Sequence, residues 1–284
     1  VDTMDTFVDS SWYFLRFCDP KNTREPWDRK RIDPWVPVDV YVGGAEHSVL
    51  HLMYARFFYK FFYDLGMVPK EKGDEPFLKL RHPGTVLGPD SRKMSKRWDN
   101  VINPDDVIKQ YGADTLRMYE MFMGPFEAMK PWSVESVAGV NRFLARVYVW
   151  YRDFNNKVVA RERINKNLEI EVNKLVKKVT EDIESFSFNT SIAAMMGFLN
   201  EMTLRADDQT GTMTWKEMWE KFLLVLAPFA PHLAEELWQE LQLSHSGNPP
   251  AGGASRISQS MTFRDPGLGQ DDAFVSVHQQ SWPV

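Results

Sequence analysis

The 284-residue chain has a single cysteine, Cys18. That excludes an internal disulfide and any zinc site built on several thiolates, and it suits a reducing, cytoplasmic setting. Cys18 itself reads as a small packed side chain. No uninterrupted run of eighteen or more apolar residues occurs, so no membrane span is expected. The opening, Val1-Asp2-Thr3-Met4-Asp5, lacks the basic and then apolar run of a signal peptide. It also starts on Val rather than Met, as an excised or processed chain would, or one cut at a chosen boundary. An excess of positive charge is missing too. The 34 basic and 39 acidic residues leave −5, which argues against indiscriminate coating of nucleic acid but leaves room for a local basic face. There is no internal repeat. What is present is a hydrophobic share of 43%, with 10 Trp and 19 Phe, in a length sufficient for two domains with substantial cores.

The two halves differ in texture. Up to about residue 130, short β-like runs alternate with helices and turns. Val38-Asp39-Val40-Tyr41-Val42 is β-branched and alternating and reads as a buried strand. Gly43-Gly44 follows, then a helical pattern from about Ala45 to Leu65 that Gly66 stops. Leu78-Lys79-Leu80 and Thr85-Val86-Leu87 read as further short strands. Asn103-Pro104-Asp105-Asp106 is a helix start, with a capping Asn, Pro in the first turn and acids at the positive end of the dipole. Gly112 ends that helix, and another runs from about Ala113 to Met123. From Ser133 the pattern is helical. Val172, Leu175, Val176, Val179, Ile183 and Phe186 trace one apolar stripe. Helices at about 133–154, 168–185, 189–206, 212–226 and 231–242 predict an antiparallel bundle. Ser244 to Arg256 is a Ser/Gly/Pro-rich loop.

Four segments carry chemistry. In Arg92-Lys93-Met94-Ser95-Lys96-Arg97, two lysines three apart lie on a loop between a strand and a capped helix, and they can converge on one polyanion. On charge alone, a solvated basic loop is the commoner outcome. In Gly43-Gly44-Ala45-Glu46-His47, small residues let a ligand approach the backbone at a strand end. His47 and His51 are spaced to share a helix face, but Ser48 stands where a zincin needs Glu, and no metal site is expected. Asp5-Thr6-Phe7-Val8-Asp9-Ser10-Ser11-Trp12-Tyr13 offers aromatic walls around a small residue, an arrangement more often simply core. Arg142, Arg146, Arg152, Lys157, Arg161 and Arg163 form a basic stretch, which is commonly just a solvated surface.

The wording of these segments resembles the class I aminoacyl-tRNA synthetases. Lys93-Met94-Ser95-Lys96-Arg97, preceded by Gly88-Pro89-Asp90, resembles their Lys-Met-Ser-Lys loop. It is followed by Asn100-Val101-Ile102-Asn103-Pro104-Asp105 and by Tyr111-Gly112-Ala113-Asp114-Thr115-Leu116-Arg117, as in the family. Arg97 replaces a common Ser, and Asp99 replaces a common Gly. Gly43-Gly44-Ala45-Glu46-His47 with His51-Leu52-Met53-Tyr54-Ala55-Arg56-Phe57 is similar to the leucyl branch; valyl and isoleucyl members tend to carry Asp-Gln where this chain has Glu46-His47. The resemblance covers about residues 3 to 242.

The resemblance implies a fold that is α/β and then all-α. Residues 1–130 would be the C-terminal part of a Rossmann-like, doubly wound catalytic domain, and residues 131–284 an antiparallel helical tRNA-binding (anticodon-binding) domain. It implies activation of leucine by ATP, with Mg²⁺, and transfer to tRNA(Leu). Lys93 and Lys96 would be catalytic. Gly43, Gly44, Glu46, Lys93, Met94, Ser95 and Lys96 would bind ATP, Glu46 by its ribose. Phe7, Ser10, Tyr13 and His47 would form the leucine pocket. Arg142, Arg146, Lys157 and Arg161 would meet tRNA, mainly through its backbone and shape. The family's His-Ile-Gly-His motif occurs nowhere in the chain, so the first strands of the nucleotide-binding fold are expected to come from elsewhere, in cis or as a separate subunit. The editing domain is missing as well, which would leave discrimination to pocket shape, about 1–3 kcal/mol per methylene-sized difference. A sheet without its first strands would expose an edge and an apolar face. The alternative is a non-catalytic tRNA-binding subunit or a half-enzyme that needs a separate N-terminal chain.

Overall fold

A computed structural model describes residues 3–157, 163–204, 210–243, 278 and 280–283. The packing forms two compact units, one of Val1–Leu87 with Phe126–Lys130, the other of Gly88–Pro125 with Pro131–Val284.

The first unit begins with two short helices, α1 (Thr6–Ser10), capped by the Asp5 carboxylate, and α2 (Tyr13–Cys18). The Arg16 guanidinium then gathers the following loop by donating to the carbonyls of Pro20, Asn22, Glu25 and Pro26. This loop leads into α3 (Arg29–Ile32), capped by Asp28. Leu15, Trp27, Ile32, Val36, Tyr59 and Val68 make the core, and the Trp27 indole N–H donates to the Met67 carbonyl. Cys18 is half-buried beside this cluster, with its thiol on the Phe14 carbonyl and its pKa raised by burial.

The expected strand at Val38–Val42 is shorter than its pattern. Val38 bridges Phe77, and only Tyr41–Val42 (β1) forms a ladder, parallel to Leu80–Arg81 (β2), with Tyr41 opposite Leu80. Nor is it buried, since Val42 is 51% exposed. With one neighbour, β1 lacks the second flank and the covering layer that a central strand requires. The expected helix at Ala45–Leu65 also divides. Ala45–Val49 is a 3₁₀ turn, Leu50 breaks the path at φ −117° and ψ −106°, and α4 runs His51–Asp64. Gly66 stops it at φ +71°, as expected of a residue in the left-handed region. A second pair joins Val86–Leu87 (β3) to Lys130–Pro131 (β4). The bare edge and apolar face expected from sequence are present. Leu78 and Leu80 are exposed beside Val42, and Met53, Phe57, Phe61 and Leu65 form an exposed row, four residues apart, along and just beyond α4.

In the second unit α5 (Pro104–Tyr111) starts as expected, with the Asn103 side chain accepting from Asp105 N–H and Gly112 ending it at φ +88°. Helix α6 (Ala113–Phe122) follows. Then come α7 (Val134–Lys157), α8 (Lys166–Ser185), α9 (Phe188–Leu204), α10 (Trp215–Leu226) and α11 (Pro231–Leu243), each end within about three residues of the pattern-based limit. In α8 the predicted stripe is buried at Val172, Leu175, Val176 and Val179, while Ile183 and Phe186 are half-buried. Helix α10 carries a full capping box between Thr214 and Glu217. The Ser244–Arg256 loop lies outside the described residues.

Asp114 fixes the entry to α11. Its carboxylate is buried, 5% exposed, and accepts from Leu233 N–H at 2.8 Å, His232 N–H at 3.3 Å and His232 Nδ1 at 2.8 Å. It is thus an N-terminal cap supplied by another helix. Beside it Arg117 donates to the Pro228 carbonyl. Replacing Asp114 by Ala strands these donors and should cost about 1–3 kcal/mol, read as an earlier midpoint in urea unfolding; an unchanged midpoint would show that water replaces the carboxylate at no cost.

Candidate active site

The Lys-Met-Ser-Lys segment is an exposed loop with a built frame. Its two ends meet at Gly88, whose N–H donates to the Arg92 carbonyl at 2.8 Å. The Asn100 amide works in both directions. Its oxygen accepts from Ser95 N–H at 2.9 Å, and its nitrogen donates to Asp90 Oδ1 at 2.9 Å and to the Lys93 carbonyl at 3.4 Å. A Cβ on Gly88 would lie 2.8 Å from the Asn100 nitrogen and 2.9 Å from Asp90 Oδ1, so this clasp needs glycine there. The bond from Asn100, then the Arg92 N–H, hold the Asp90 carboxyl below its ordinary value. The Ser95 hydroxyl caps a single 3₁₀ turn, Lys96–Trp98, by accepting from Arg97 N–H. Asp99 closes it in the left-handed region at φ +49°. The common Gly at this position therefore has a conformational reason, and Asp is among the few other residues that tolerate it. Lys93 and Lys96 are both exposed, and among the described residues neither ammonium has a hydrogen bond or an ion pair.

In the other unit, Gly43 N–H donates to the Arg81 carbonyl and the Gly43 carbonyl lies 2.7 Å from His82 Nδ1. The exposed Glu46 carboxylate folds back over Gly44, where any Cβ would strike it. Because α4 begins only at His51, these residues do not sit at an α-helix start, contrary to the sequence expectation. His47 and His51 likewise do not share one α-helix face; their rings stand 6.4 Å apart, edge to face.

Of the candidate pocket residues, Tyr13 and His47 join an aromatic cluster with Tyr41 and His51, while Phe7 packs on Tyr54. The Tyr13 hydroxyl is 2.7 Å from that of Tyr41, which is 2.8 Å from His51 Nε2. Tyr41 stacks on Phe77 at 3.9 Å, and Phe7 stacks on Tyr54 of α4 at 6.0 Å. Ser10 is half-buried on α1. Burial, then the Tyr13 bond, raises the Tyr41 pKa, while burial, then His47, lowers that of His51. Tyr41 and His51 are thus neutral at pH 7, and a neutral aromatic wall suits an apolar side chain.

In the basic stretch, Arg142 is exposed, Arg146 reaches Asn200 of α9 at 2.8 Å, and Arg152 pairs with Glu240 at 3.1 Å. The side chain of Lys157 and the whole of Arg161 lie outside the described residues. A cleft of about 370 Å³ is lined by Glu169, Thr212, Met213, Glu217, Glu220, Lys221 and Leu224, none of them a sequence candidate. Glu169 accepts from Thr212 and Met213, and Glu217 from Thr214, so these two carboxylates serve the backbone. Among the described residues no group of three or more His, Cys, Asp or Glu is placed to hold a metal ion. None of the described helices is long and apolar enough to cross a membrane.

Two family models match. Residues 1–130 match "tRNA synthetases class I (I, L, M and V)", and residues 165–284 match the "anticodon-binding domain of tRNA ligase". A leucine–tRNA ligase of Leptospira biflexa is 49% identical over 243 residues, 84% of this chain and 27% of that protein. One from Sorangium cellulosum is 48% identical over 242 residues, 84% of this chain and 26% of that protein. Along both matched regions the chain is similar to the leucyl-tRNA synthetases. A solved structure agrees: a ternary complex of LeuRS, tRNA and LeuAMS from Agrobacterium radiobacter superposes with a TM-score of 0.76 at 36% identity, covering 86% of this chain and 32% of that one. The chain spans about a quarter of the length of these two leucine–tRNA ligases.

Sequence reading missed Tyr41 and His51 as members of the cluster and Asn100 as the keystone of the loop. Tyr41 lay hidden in a strand pattern, although the His47–His51 spacing had flagged His51. Asn100 was quoted only as part of a motif.

Two expectations follow. A Gly88→Ala change should open the Asn100 clasp, so that the Ser95 amide exchanges with solvent roughly tenfold faster, the loss of one ordinary hydrogen bond; hydrogen-exchange mass spectrometry reads this directly. The His51 ring should titrate below the ordinary value of about 6.5 by NMR, and His47→Ala should move it upward. Its sign for stability follows: with the folded value depressed, the unfolded chain takes the proton first, so stability is lost as pH falls through about 6.5.

Proposed function

We propose that this chain supplies half of the leucine-activating site and the helical tRNA-binding domain of a leucyl-tRNA synthetase. On this reading residues 1–130, the extent of the class I match, are the C-terminal part of the catalytic domain and residues 131–284, of which 165–284 match the anticodon-binding model, bind tRNA(Leu). The observation that carries the proposal is the lysine loop, a hydrogen-bonded turn whose two ammonium groups have no partner among the described residues.

The reaction is attack of the leucine carboxylate on the α-phosphorus of ATP. A carboxylate oxygen forms the new P–O bond, the α–β bridging bond breaks, and pyrophosphate leaves with its negative charge. ATP, carrying Mg²⁺ on its phosphates, is the nucleotide the reaction requires. Lys93 and Lys96 meet the charge that develops on the departing pyrophosphate, and Met94 and Ser95, between them, line the nucleotide. Glu46, placed over Gly44, offers a carboxylate acceptor for ribose hydroxyls, and Gly43 and Gly44 keep that approach free of side chains. Phe7, Ser10, Tyr13 and His47, with Tyr41 and His51, form the leucine wall. Transfer to tRNA follows on the same scaffold, with Arg142, Arg146, Lys157 and Arg161 as contacts to its phosphates.

The half-enzyme form of this reading rests on a specific observation: the chain contains no His-Ile-Gly-His segment. A second polypeptide stretch, in cis or as a subunit, must supply it. Leucine-dependent exchange of pyrophosphate into ATP tests the assignment. The chain alone should be silent, its mixture with a matching N-terminal half should be active, and Lys96→Ala should lower the rate of the mixture by about a hundredfold or more. Silence from folded, associated chains would sink the catalytic assignment and leave tRNA binding as the function.

A further inference from the structure

Trp98 stands in a cationic turn and is 48% exposed. Its neighbours account for it. The Arg92 guanidinium carbon lies 4.7 Å from the ring centroid and that of Arg97 lies 5.1 Å away, both within cation–π range. Arg92 is held a second time by Asp90, through Nε and Nη2 at 2.8 Å each and through its backbone N–H at 3.1 Å. Arg92 adjoins Lys93, and Arg97 adjoins Lys96. One indole therefore gathers the residues next to both lysines, while Asn100 holds the backbone between them. Among the described residues, two of the four clustered cations are engaged and two have no partner.

We infer that Trp98 is a positioning residue: it withholds Arg92 and Arg97 from an incoming polyphosphate and fixes the spacing of the two lysines that meet it. The inference rests on the reading of this loop as the phosphate-facing part of the leucine-activating site. Guanidinium binds phosphate through a two-pronged fork, ammonium as a point charge. Without the indole, Arg97 loses its hold and Arg92 keeps only Asp90. The released forks then compete for the anion, which settles in several poses. Binding of the polyphosphate in the ground state tightens, while the pose that reacts is populated less, and misplacement by about 1 Å costs up to about a hundredfold in rate. The signature is a split: a lower kcat without a higher KM.

The test compares Trp98→Ala, Trp98→Phe and Lys96→Ala in leucine-dependent pyrophosphate exchange, with the N-terminal half supplied. Trp98→Ala should lower kcat by about tenfold or more with KM for ATP unchanged or reduced, and Trp98→Phe, which keeps a ring face, should recover most of the loss. Titration of inorganic pyrophosphate into the chain on its own gives a second readout. Trp98→Ala should bind it about two- to fivefold more tightly, the scale of an exposed ion pair. Weaker pyrophosphate binding, or a raised KM for ATP at unchanged kcat, would overturn the inference by showing that the indole itself contacts the nucleotide. Wild-type kinetics in Trp98→Ala beside a crippled Lys96→Ala would overturn it while leaving the loop assignment standing. An unaffected Lys96→Ala would remove that assignment and the positioning role with it.

Discussion

The second unit is organised by a buried carboxylate. Asp114 lies near the start of α6, yet it takes up the N–H groups at the start of α11, more than a hundred residues later in the chain. A buried carboxyl group is tolerable only when hydrogen-bond partners surround it, so α6 and α11 can take few relative positions. Thr115, the next residue, accepts from Asn141 of α7, whose amide also donates to the Tyr111 carbonyl at the end of α5. The Tyr111–Arg117 segment is therefore a hub for α5, α6, α7 and α11, and the lysine loop enters this hub through α5.

The loop repeats the same logic on the surface. Asp90 and Asn100 do there what Asp114 does in the core, satisfying backbone groups so that one conformation wins. The difference is solvent. Each exposed contact around Trp98, Arg92 and Asp90 is worth little alone, and the frame depends on several acting together. That suits a segment whose cations must remain available to a ligand.

From Pro104 onward the helices and their limits were legible in the sequence because capping residues and apolar stripes are local signals. Asn103, Gly112, Gly66 and the Val172–Val179 stripe all fall where the pattern places them. The strand of residues 38–42 was over-read because a β-branched alternation reports propensity, while length and burial depend on partners that local pattern does not contain. The break at Leu50 was invisible for a similar reason: nothing in its side chain forbids a helix, and the surrounding contacts override propensity. At the candidate site the motifs picked out Lys93, Lys96, Glu46 and Tyr13 by wording. The bonds that join Tyr13 to Tyr41 and His51, or Ser95 to Asn100, become visible only once the chain has folded. The same holds for Asp99, whose departure from a common Gly bears first on backbone conformation.

The apolar row on α4, Met53, Phe57, Phe61 and Leu65, has a thermodynamic consequence. Anything that covers those side chains in the folded state, and has no affinity for the unfolded chain, adds to stability by RT ln(1 + [L]/Kd). Any such cover would therefore raise the apparent melting temperature of the first unit above its intrinsic value. Its apparent stability depends on how much covering surface is at hand and on how concentrated that surface is.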